Sequence, residues 1–222
     1  WTTTHASPGI AIDRGEGVAL DPSGNIYAVG DKNGDAWVGK FDPNGLLLWT
    51  TTYGRGDSDR GYDIAVDAAG GAYVTGYETR NDLGQMRNIW IRKYDTNGLV
   101  QWTTGYDGPT HDDEAGQGIA LDAVGNVFVT GWQDFLPANP LTPQSIFIGK
   151  FDSNGLTLWT TTYNSPSDEL LYGHGIAVDA SGDFYVSGRE NRLDLGQGNN
   201  LWVRKYDSNG LIQWTNPTFR TS

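Results

Sequence analysis

Short apolar runs alternate along this chain with clusters of Gly, Asn and Asp. The runs are rich in β-branched and aromatic residues, so they predict short β-strands bounded by tight turns. One type of run ends in Asp, and a second follows it after a short Gly-containing turn and ends in Gly. The first type lies at 17–21, 63–67, 118–122 and 175–179, and the second lies at 26–30, 72–76, 127–131 and 184–188.

A third signal pairs two strands about an Asp-x-Asn-Gly turn, most clearly at 89–102. Asp can cap such a turn with its side chain, while Asn and Gly tolerate positive φ. Asp recurs at the tight turns of every repeat, so we expect turn capping rather than chemistry from these carboxylates. They are Asp42, Asp95, Asp152 and Asp207 in these turns, and Asp21, Asp67, Asp122 and Asp179 at the ends of the first runs.

Trp-Thr-Thr begins at Trp1, Trp49, Trp102 and Trp159, and a degenerate copy begins at Trp214. The spacings are 48, 53, 57 and 55 residues. A four-stranded unit with a period near 50 is typical of a β-propeller blade. We therefore predict an all-β propeller of four tandem four-stranded antiparallel blades. It forms a single domain over 1–222, with repeats 1–48, 49–101, 102–158 and 159–213 and a strand end at 214–222. The periodic Trp residues are expected to pack between blades or at their edges.

The repeated order Gly-Ile-Ala-Val-Asp, Gly-Asn, Val-Tyr-Val-Thr-Gly and Lys-Phe/Tyr-Asp-x-Asn-Gly resembles the bacterial β-propeller repeat known as the SBBP repeat. It is also similar to the NHL repeat. The resemblance covers nearly the whole chain. It implies an extracellular or cell-surface protein of bacteria or archaea, and it implies no catalytic residues.

The four repeats look like two copies of a pair. The second and fourth share Asp-Leu-Gly-Gln at 82–85 and 194–197, and the first and third share Gly-Lys-Phe-Asp at 39–42 and 149–152. This compact symmetry slightly favours a closed four-blade ring. Half of a larger ring and an open array are the alternatives, because Trp1–Thr4 reads as half of a fourth strand. Together with Leu211–Thr218 it could support self-association through strand edges. Because the first residue is Trp and not Met, we expect either that a leader is removed or that the chain is a piece of a longer protein.

The connections after the second and fourth strands of each blade are predicted to be long and variable, and to emerge on one face. Variable loops on a rigid scaffold usually carry function. The ligand-face candidates are Trp132, Phe135, Arg87, Arg189, Arg192 and His111. Trp132 has no counterpart in the other repeats, so it is the leading candidate for an aromatic side chain that stacks on a sugar.

Composition narrows the function classes. The net charge is −12, which disfavours nucleic-acid binding, and no apolar run is long enough to insert in a membrane. Without Cys there is no thiolate chemistry, and no motif points to a cofactor or to catalytic residues. The run Asp112, Asp113 and Glu114 is a weak candidate for Ca²⁺, since this cation prefers several oxygen ligands.

Three functions remain open. The first is a non-enzymatic extracellular or cell-surface module, binding or structural, whose loop face recognises a surface protein or glycan. The second is a self-assembling filament or surface-layer subunit. The third is a polysaccharide-acting enzyme with a carboxylate-based site on the loop face.

Overall fold

The structure is a computed structural model that describes residues 2, 4, 7, 12–54, 57–109, 111–134, 144–164, 170–192 and 196–215. These residues form four antiparallel sheets of four strands, and each sheet keeps its strands in chain order. The all-β, four-blade prediction is confirmed. The only helix in the described ranges is a 3₁₀ turn at Asn81–Leu83.

The strands follow in chain order. Blade 1 contains β1 (Asp13–Leu20), β2 (Ile26–Lys32), β3 (Asp35–Phe41) and β4 (Leu47–Tyr53). Blade 2 contains β5 (Arg60–Val66), β6 (Ala72–Thr79), β7 (Arg87–Tyr94) and β8 (Val100–Tyr106). Blade 3 contains β9 (Glu114–Leu121), β10 (Val127–Asp134), β11 (Gln144–Phe151) and β12 (Thr157–Tyr163). Blade 4 contains β13 (Leu171–Val178), β14 (Phe184–Arg192), β15 (Gln197–Tyr206) and β16 (Ile212–Thr215).

Every turn between first and second strands, and between third and fourth strands, is capped by its Asp. In the β11–β12 turn, Oδ1 of Asp152 accepts from the amides of Asn154 and Leu156 at 2.9 and 2.8 Å. The same pair of bonds recurs at all eight turn aspartates. The capping prediction is therefore confirmed, and one end of the molecule is uniform.

The core lies between blades and not within them. Alternate residues of each second strand face opposite neighbours, as the strand pleat requires. Phe128 of β10 packs in the layer shared with blade 4, whereas Val127 and Val129 pack in the layer shared with blade 2. An equivalent layer joins blades 1 and 2, so three apolar layers hold four blades together.

The periodic Trp residues fasten one blade to the next. The indole N–H of Trp102 on β8 donates to the carbonyl of Ser153 in the β11–β12 turn at 3.0 Å. Trp49 makes the same bond to Thr96, also at 3.0 Å. A Cβ at Gly155 would lie 2.7 Å from the Trp102 ring, so the absence of a side chain at this turn residue leaves room for the indole. Packing between blades is thus confirmed for Trp49 and Trp102.

The pairwise duplication of the repeats is visible in side-chain contacts. Arg92 of blade 2 lies 3.6 Å from the ring centroid of Tyr53 in blade 1 and donates to Thr103 at 2.8 Å. Arg204 of blade 4 lies 4.0 Å from the ring centroid of Tyr163 in blade 3 and donates to Thr215 at 2.7 Å. Blades 1 and 3 have Gly at the equivalent positions, Gly39 and Gly149.

The preference for a closed four-blade ring is corrected. Across the described residues, blades pack first on second, second on third and third on fourth, and no strand of blade 4 packs comparably on blade 1. Val18 and Leu20 of β1 are exposed, although their counterparts in the other first strands contribute to the apolar layers. The described blades form an open arc, because the fourth interface that closure needs is missing among them.

The predicted loop lengths also need correction. The first connection between second and third strands is a two-residue turn at Asn33 and Gly34, with φ of 54° and 88°. The strands β6, β10 and β14 run on into the segments predicted as loops. Of the proposed strand edges, Leu211–Thr215 contributes β16, whereas Trp1, Thr3 and 216–218 lie outside the described residues.

Candidate functional site

Each first strand carries a β-bulge at the same place. The pairing with the second strand skips one residue, which therefore has no cross-strand partner. The skipped residues are Glu16, Tyr62, Gln117 and His174. Bulges re-aim a side chain and are common beside functional sites. First strands of successive blades pack on one another, so these four side chains lie along the inner side of the arc.

Glycine is required at positions around the bulge because other atoms approach these positions too closely for a Cβ. At Gly131 of β10, a Cβ would lie 1.9 Å from the carbonyl oxygen of Ala115 across the bulge. At Gly116, a Cβ would lie 2.1 Å from Oγ1 of Thr75 in the preceding blade. The backbone around each bulge is thereby held in one position, and the bulge residue is free to vary.

Two further positions accompany each bulge residue. One precedes it by two residues, and the other lies opposite on the second strand, directly after the constant Gly. We call all three positions of each blade the inner positions. They are Arg14, Glu16 and Asp31 in blade 1, and Arg60, Tyr62 and Tyr77 in blade 2. Blade 3 has Ala115, Gln117 and Trp132, and blade 4 has Tyr172, His174 and Arg189.

The inner positions of blades 3 and 4 form one cluster. The Trp132 and Tyr172 rings meet edge to face with centroids 6.0 Å apart, and the His174 ring stacks on Tyr172 at 6.1 Å. The Arg189 guanidinium lies 4.0 Å from the Tyr172 ring centroid, a cation–π distance. Partial desolvation and then the charge of Arg189 lower the pKa of His174, which favours the neutral imidazole.

Blade 2 builds a second cluster from other residues. Tyr62 and Tyr77 lie with centroids 5.8 Å apart, and the guanidiniums of Arg60 and Arg87 lie 5.7 and 4.8 Å from the centroids of these rings. Arg60 also pairs with Asp31 of blade 1, with Nε 3.2 Å from Oδ1. Ion pairing and aromatic contacts therefore both cross blade boundaries at the inner positions.

The predicted ligand-face residues divide into two groups. Trp132, Arg189 and Arg87 belong to the two clusters, although they lie on strands and not on loops. His111 is exposed and pairs with Asp107, and Arg192 lies 3.9 Å from Glu190, so both pair with carboxylates that are not members of the two clusters. Phe135 lies outside the described residues.

The weak calcium candidates do not converge on a site. Asp113 faces Arg87, with Oδ1 3.8 Å from Nε, while Glu114 is fully buried at the start of β9. Burial raises the pKa of Glu114 to about 9, and the nearby carboxylates of Asp107 and Asp134 act in the same direction. A protonated carboxyl is a poor cation ligand. In the described part of the chain, no group of three acidic or His side chains has the spacing of a metal site.

The bulge residues were not predicted as site residues, although the sequence contains a signal for them. Gly-x-Gly recurs at 15–17, 116–118 and 173–175, with Gly-x-Asp at 61–63. A Gly inside a strand indicates a bulge or a close backbone approach. The recurrence of this pattern in register across the first strands indicates the same structural role in every blade.

Comparison with known proteins agrees with the fold. No protein-family profile matches the chain. An uncharacterized WD repeat-containing protein of Acanthamoeba polyphaga mimivirus is 27% identical over 333 residues, covering 97% of this chain and 24% of that protein. The chain thus spans about a quarter of this relative's length.

Solved structures resemble the chain at low identity. One, whose assignment as a gluconolactonase is provisional, is 14% identical with a TM-score of 0.53, over 93% of this chain and 64% of that one. A GH43 endo-arabinanase from Bacillus licheniformis is 12% identical with a TM-score of 0.46, over 96% and 79%. The first likeness shows the fold alone, and the second is too weak to carry an argument. With the WD-repeat relative, the first supports a propeller-type repeat protein. No helix within the described ranges could cross a bilayer.

Proposed function

We propose that this chain is a non-enzymatic binding module, and that its inner positions recognise a carbohydrate chain. The observation that carries the proposal is the row of four bulge residues. The same backbone device presents Glu16, Tyr62, Gln117 and His174 from successive blades. A constant scaffold that displays a different side chain at each repeat is suited to recognition of an extended ligand.

The chemistry of the inner positions fits a sugar. Trp132, Tyr62 and Tyr172 are half-buried aromatic rings, and an amphipathic ring can stack on the apolar face of a pyranose. Gln117 and the neutral His174 can both donate and accept hydrogen bonds, as sugar hydroxyls require. Arg189 adds a planar donor that can pair with a carboxylate on an acidic sugar.

The test is binding to a printed panel of neutral and acidic oligosaccharides. Trp132→Ala and Arg189→Ala are expected to weaken binding by about tenfold or more, since a well-placed aromatic or Arg anchor contributes 1.4 kcal/mol or more. Arg192→Ala is the matched control, because Arg192 lies at the same end of blade 4 but pairs with Glu190. The proposal would be overturned if only the control variant lost binding. It would also be overturned if the chain bound proteins but bound none of the oligosaccharides.

A polysaccharide-acting enzyme is the competing proposal. The acid with the most suitable pKa is Glu114, since a general acid has to be protonated at neutral pH. Its full burial at the boundary of blades 2 and 3 favours a structural role, because a general acid has to reach the scissile oxygen. Incubating the bound oligosaccharide with wild type and with Glu114→Gln, followed by product analysis, separates the two. Cleavage that is lost in the variant would favour the enzyme.

We also propose that the chain is related to the SBBP-type repeat proteins and acts outside the cell or at its surface. The order and spacing of the repeat motifs support this relationship. Antibody detection on intact cells and in the medium of the source organism tests the location. A signal found only after cell lysis would contradict it.

A further inference from the structure

The outward face of blade 1 is built like the buried interfaces between blades. Val18 of β1 is 68% exposed, whereas its counterpart Ile64 in blade 2 is 4% exposed. Leu20 is exposed beside it, although the equivalent Val66 packs in the layer between blades 1 and 2. We call the surface around Gly15, Val18 and Leu20 the first-blade face.

The outward face of blade 4 carries the opposite half of the same interface. Leu201 of β15 is 62% exposed, whereas its counterpart Ile89 in blade 2 is fully buried. Trp214 occupies the position from which Trp102 bonds to the next blade, and it is 45% exposed. A shallow groove of about 290 Å³ crosses this surface. The fourth-blade face is formed by Ala177, Tyr185, Ser187, Leu201, Val203 and Trp214.

The steric detail of the two faces also matches. In blades 2 and 3, the Gly before the bulge has no room for a Cβ, because Val29 or Thr75 of the preceding blade fills that space. Gly15 is the equivalent residue of blade 1, and nothing lies within 4 Å of a Cβ built there. The residue of blade 4 that is equivalent to Val29 and Thr75 is Ser187.

We propose that the fourth-blade face of one molecule binds the first-blade face of a second copy, as one blade binds the next within the chain. A second copy is the occupant because this chain carries both halves of the interface that its own blades already form three times. The contact is heterologous, since two different surfaces meet. It leaves the inner positions of blades 2 and 3, which include Tyr62 and Trp132, away from the contact, so it does not depend on carbohydrate recognition.

Two blocking variants test the direction of the contact. Gly15→Val adds a side chain where Ser187 of the second copy would lie, and Leu201→Asp places a charge on the fourth-blade face. Both positions are exposed in the isolated chain, so both variants should fold as wild type does. Mass is measured by light scattering after size exclusion, at up to about 100 µM, which detects a micromolar Kd.

Wild type is expected to exceed the monomer mass, and each variant alone should be a monomer. An equimolar mixture should form a 1:1 dimer, because each variant keeps the face that the other has lost. Val124→Asp, an exposed apolar residue at a turn of blade 3, is the matched control and should associate like wild type. A monomeric wild type, a single variant that still dimerises, or a mixture that stays monomeric would each overturn the proposal. Leu20→Asp places a charge on the same first-blade face but further from Glu16. It should be a monomer and bind oligosaccharides as wild type does, so failure of the assembly and failure of the binding function can be told apart.

Discussion

The Trp132 indole meets the Tyr172 ring edge to face across the boundary between blades 3 and 4, with centroids 6.0 Å apart and planes at 65°. Trp132 follows the constant Gly of a second strand, and Tyr172 precedes the bulge of the next first strand. The contact therefore joins an inner position of one blade to an inner position of its neighbour. A ligand held at this place would touch both blades at once.

A double-mutant cycle on this pair should give a coupling energy of about 0.5–1.5 kcal/mol, which is typical of aromatic pairs. The variants are Trp132→Ala, Tyr172→Ala and the double variant, and urea unfolding gives the free energies. The cycle Trp132→Ala with Tyr62→Ala is the control, since Tyr62 belongs to the other cluster. Additive effects at Trp132 and Tyr172 would show that the contact contributes no stability of its own.

Glu114 should make the protein less stable as the pH rises. The pKa of this carboxyl is about 9 in the folded state against an ordinary value of 4.5. Between these values the folded form holds one proton more than the unfolded form, so the free energy of unfolding falls with increasing pH. Glu114→Gln keeps a neutral group of the same shape, and it should stabilise the protein by at least ~2 kcal/mol at pH 8.

The measurement is the free energy of unfolding of wild type and Glu114→Gln at several pH values from 5 to about 9. The difference between them should be small at pH 5 and grow steadily, because only the wild type releases a proton on unfolding. Gln101→Ala, at an exposed residue that does not ionise, is the control, and its difference from wild type should not change with pH. A difference that does not change with pH would mean that Glu114 ionises normally.

Periodic signals predicted the fold well because each repeat states the same strands again. The Asp-x-Asn-Gly turns and the Trp-Thr-Thr segments recur together in successive repeats. A wrong strand prediction in one repeat is therefore corrected by the other repeats. Strand ends near the loops were predicted poorly, since β10 and β14 continue past the constant Gly into segments whose sequences differ between blades. Pairing with the neighbouring strand, and not local propensity, sets those ends.

The candidate site was only partly predictable for a related reason. Trp132 was predicted because no other repeat has it, but Tyr172 and His174 precede the apolar run at 175–179 from which the first strand of blade 4 was predicted. Their common exposure depends on a bulge, which is a property of the pairing between two strands. Contacts between blades that are distant in sequence likewise decide whether the ring closes. The symmetry of the repeats favoured a closed ring, but it carries no information about those contacts.

Trp102 and Trp214 should differ sharply in their contribution to stability. Trp102 contacts Gly155 and bonds to Ser153 in the next blade, whereas Trp214 has no following blade in the described arc. Trp102→Ala is expected to cost about 2–4 kcal/mol, because an interface loses packing and a hydrogen bond. Trp214→Ala should cost about 1 kcal/mol or less in dilute monomer. Chemical denaturation at low protein concentration measures both, and equal costs would indicate that another surface covers Trp214.

Gly116 and Gly15 also compare a position at an interface between blades with its counterpart on an exposed face. Here the substitution adds a methyl group and removes no side chain. Gly116→Ala places a Cβ 2.1 Å from Oγ1 of Thr75, a buried hydroxyl that donates to the carbonyl of Trp90 at 3.1 Å. The neighbouring blade has to move or that bond has to break, so we expect a loss of about 1–3 kcal/mol. Gly15→Ala meets no atom within 4 Å and should stay within about 0.5 kcal/mol of wild type. Both alanines reduce the freedom of the unfolded chain equally, so the difference between the two variants isolates the blade contact. If Gly15→Ala were as costly as Gly116→Ala in dilute solution, another part of the molecule would have to cover the face of blade 1, and the arc would not be open.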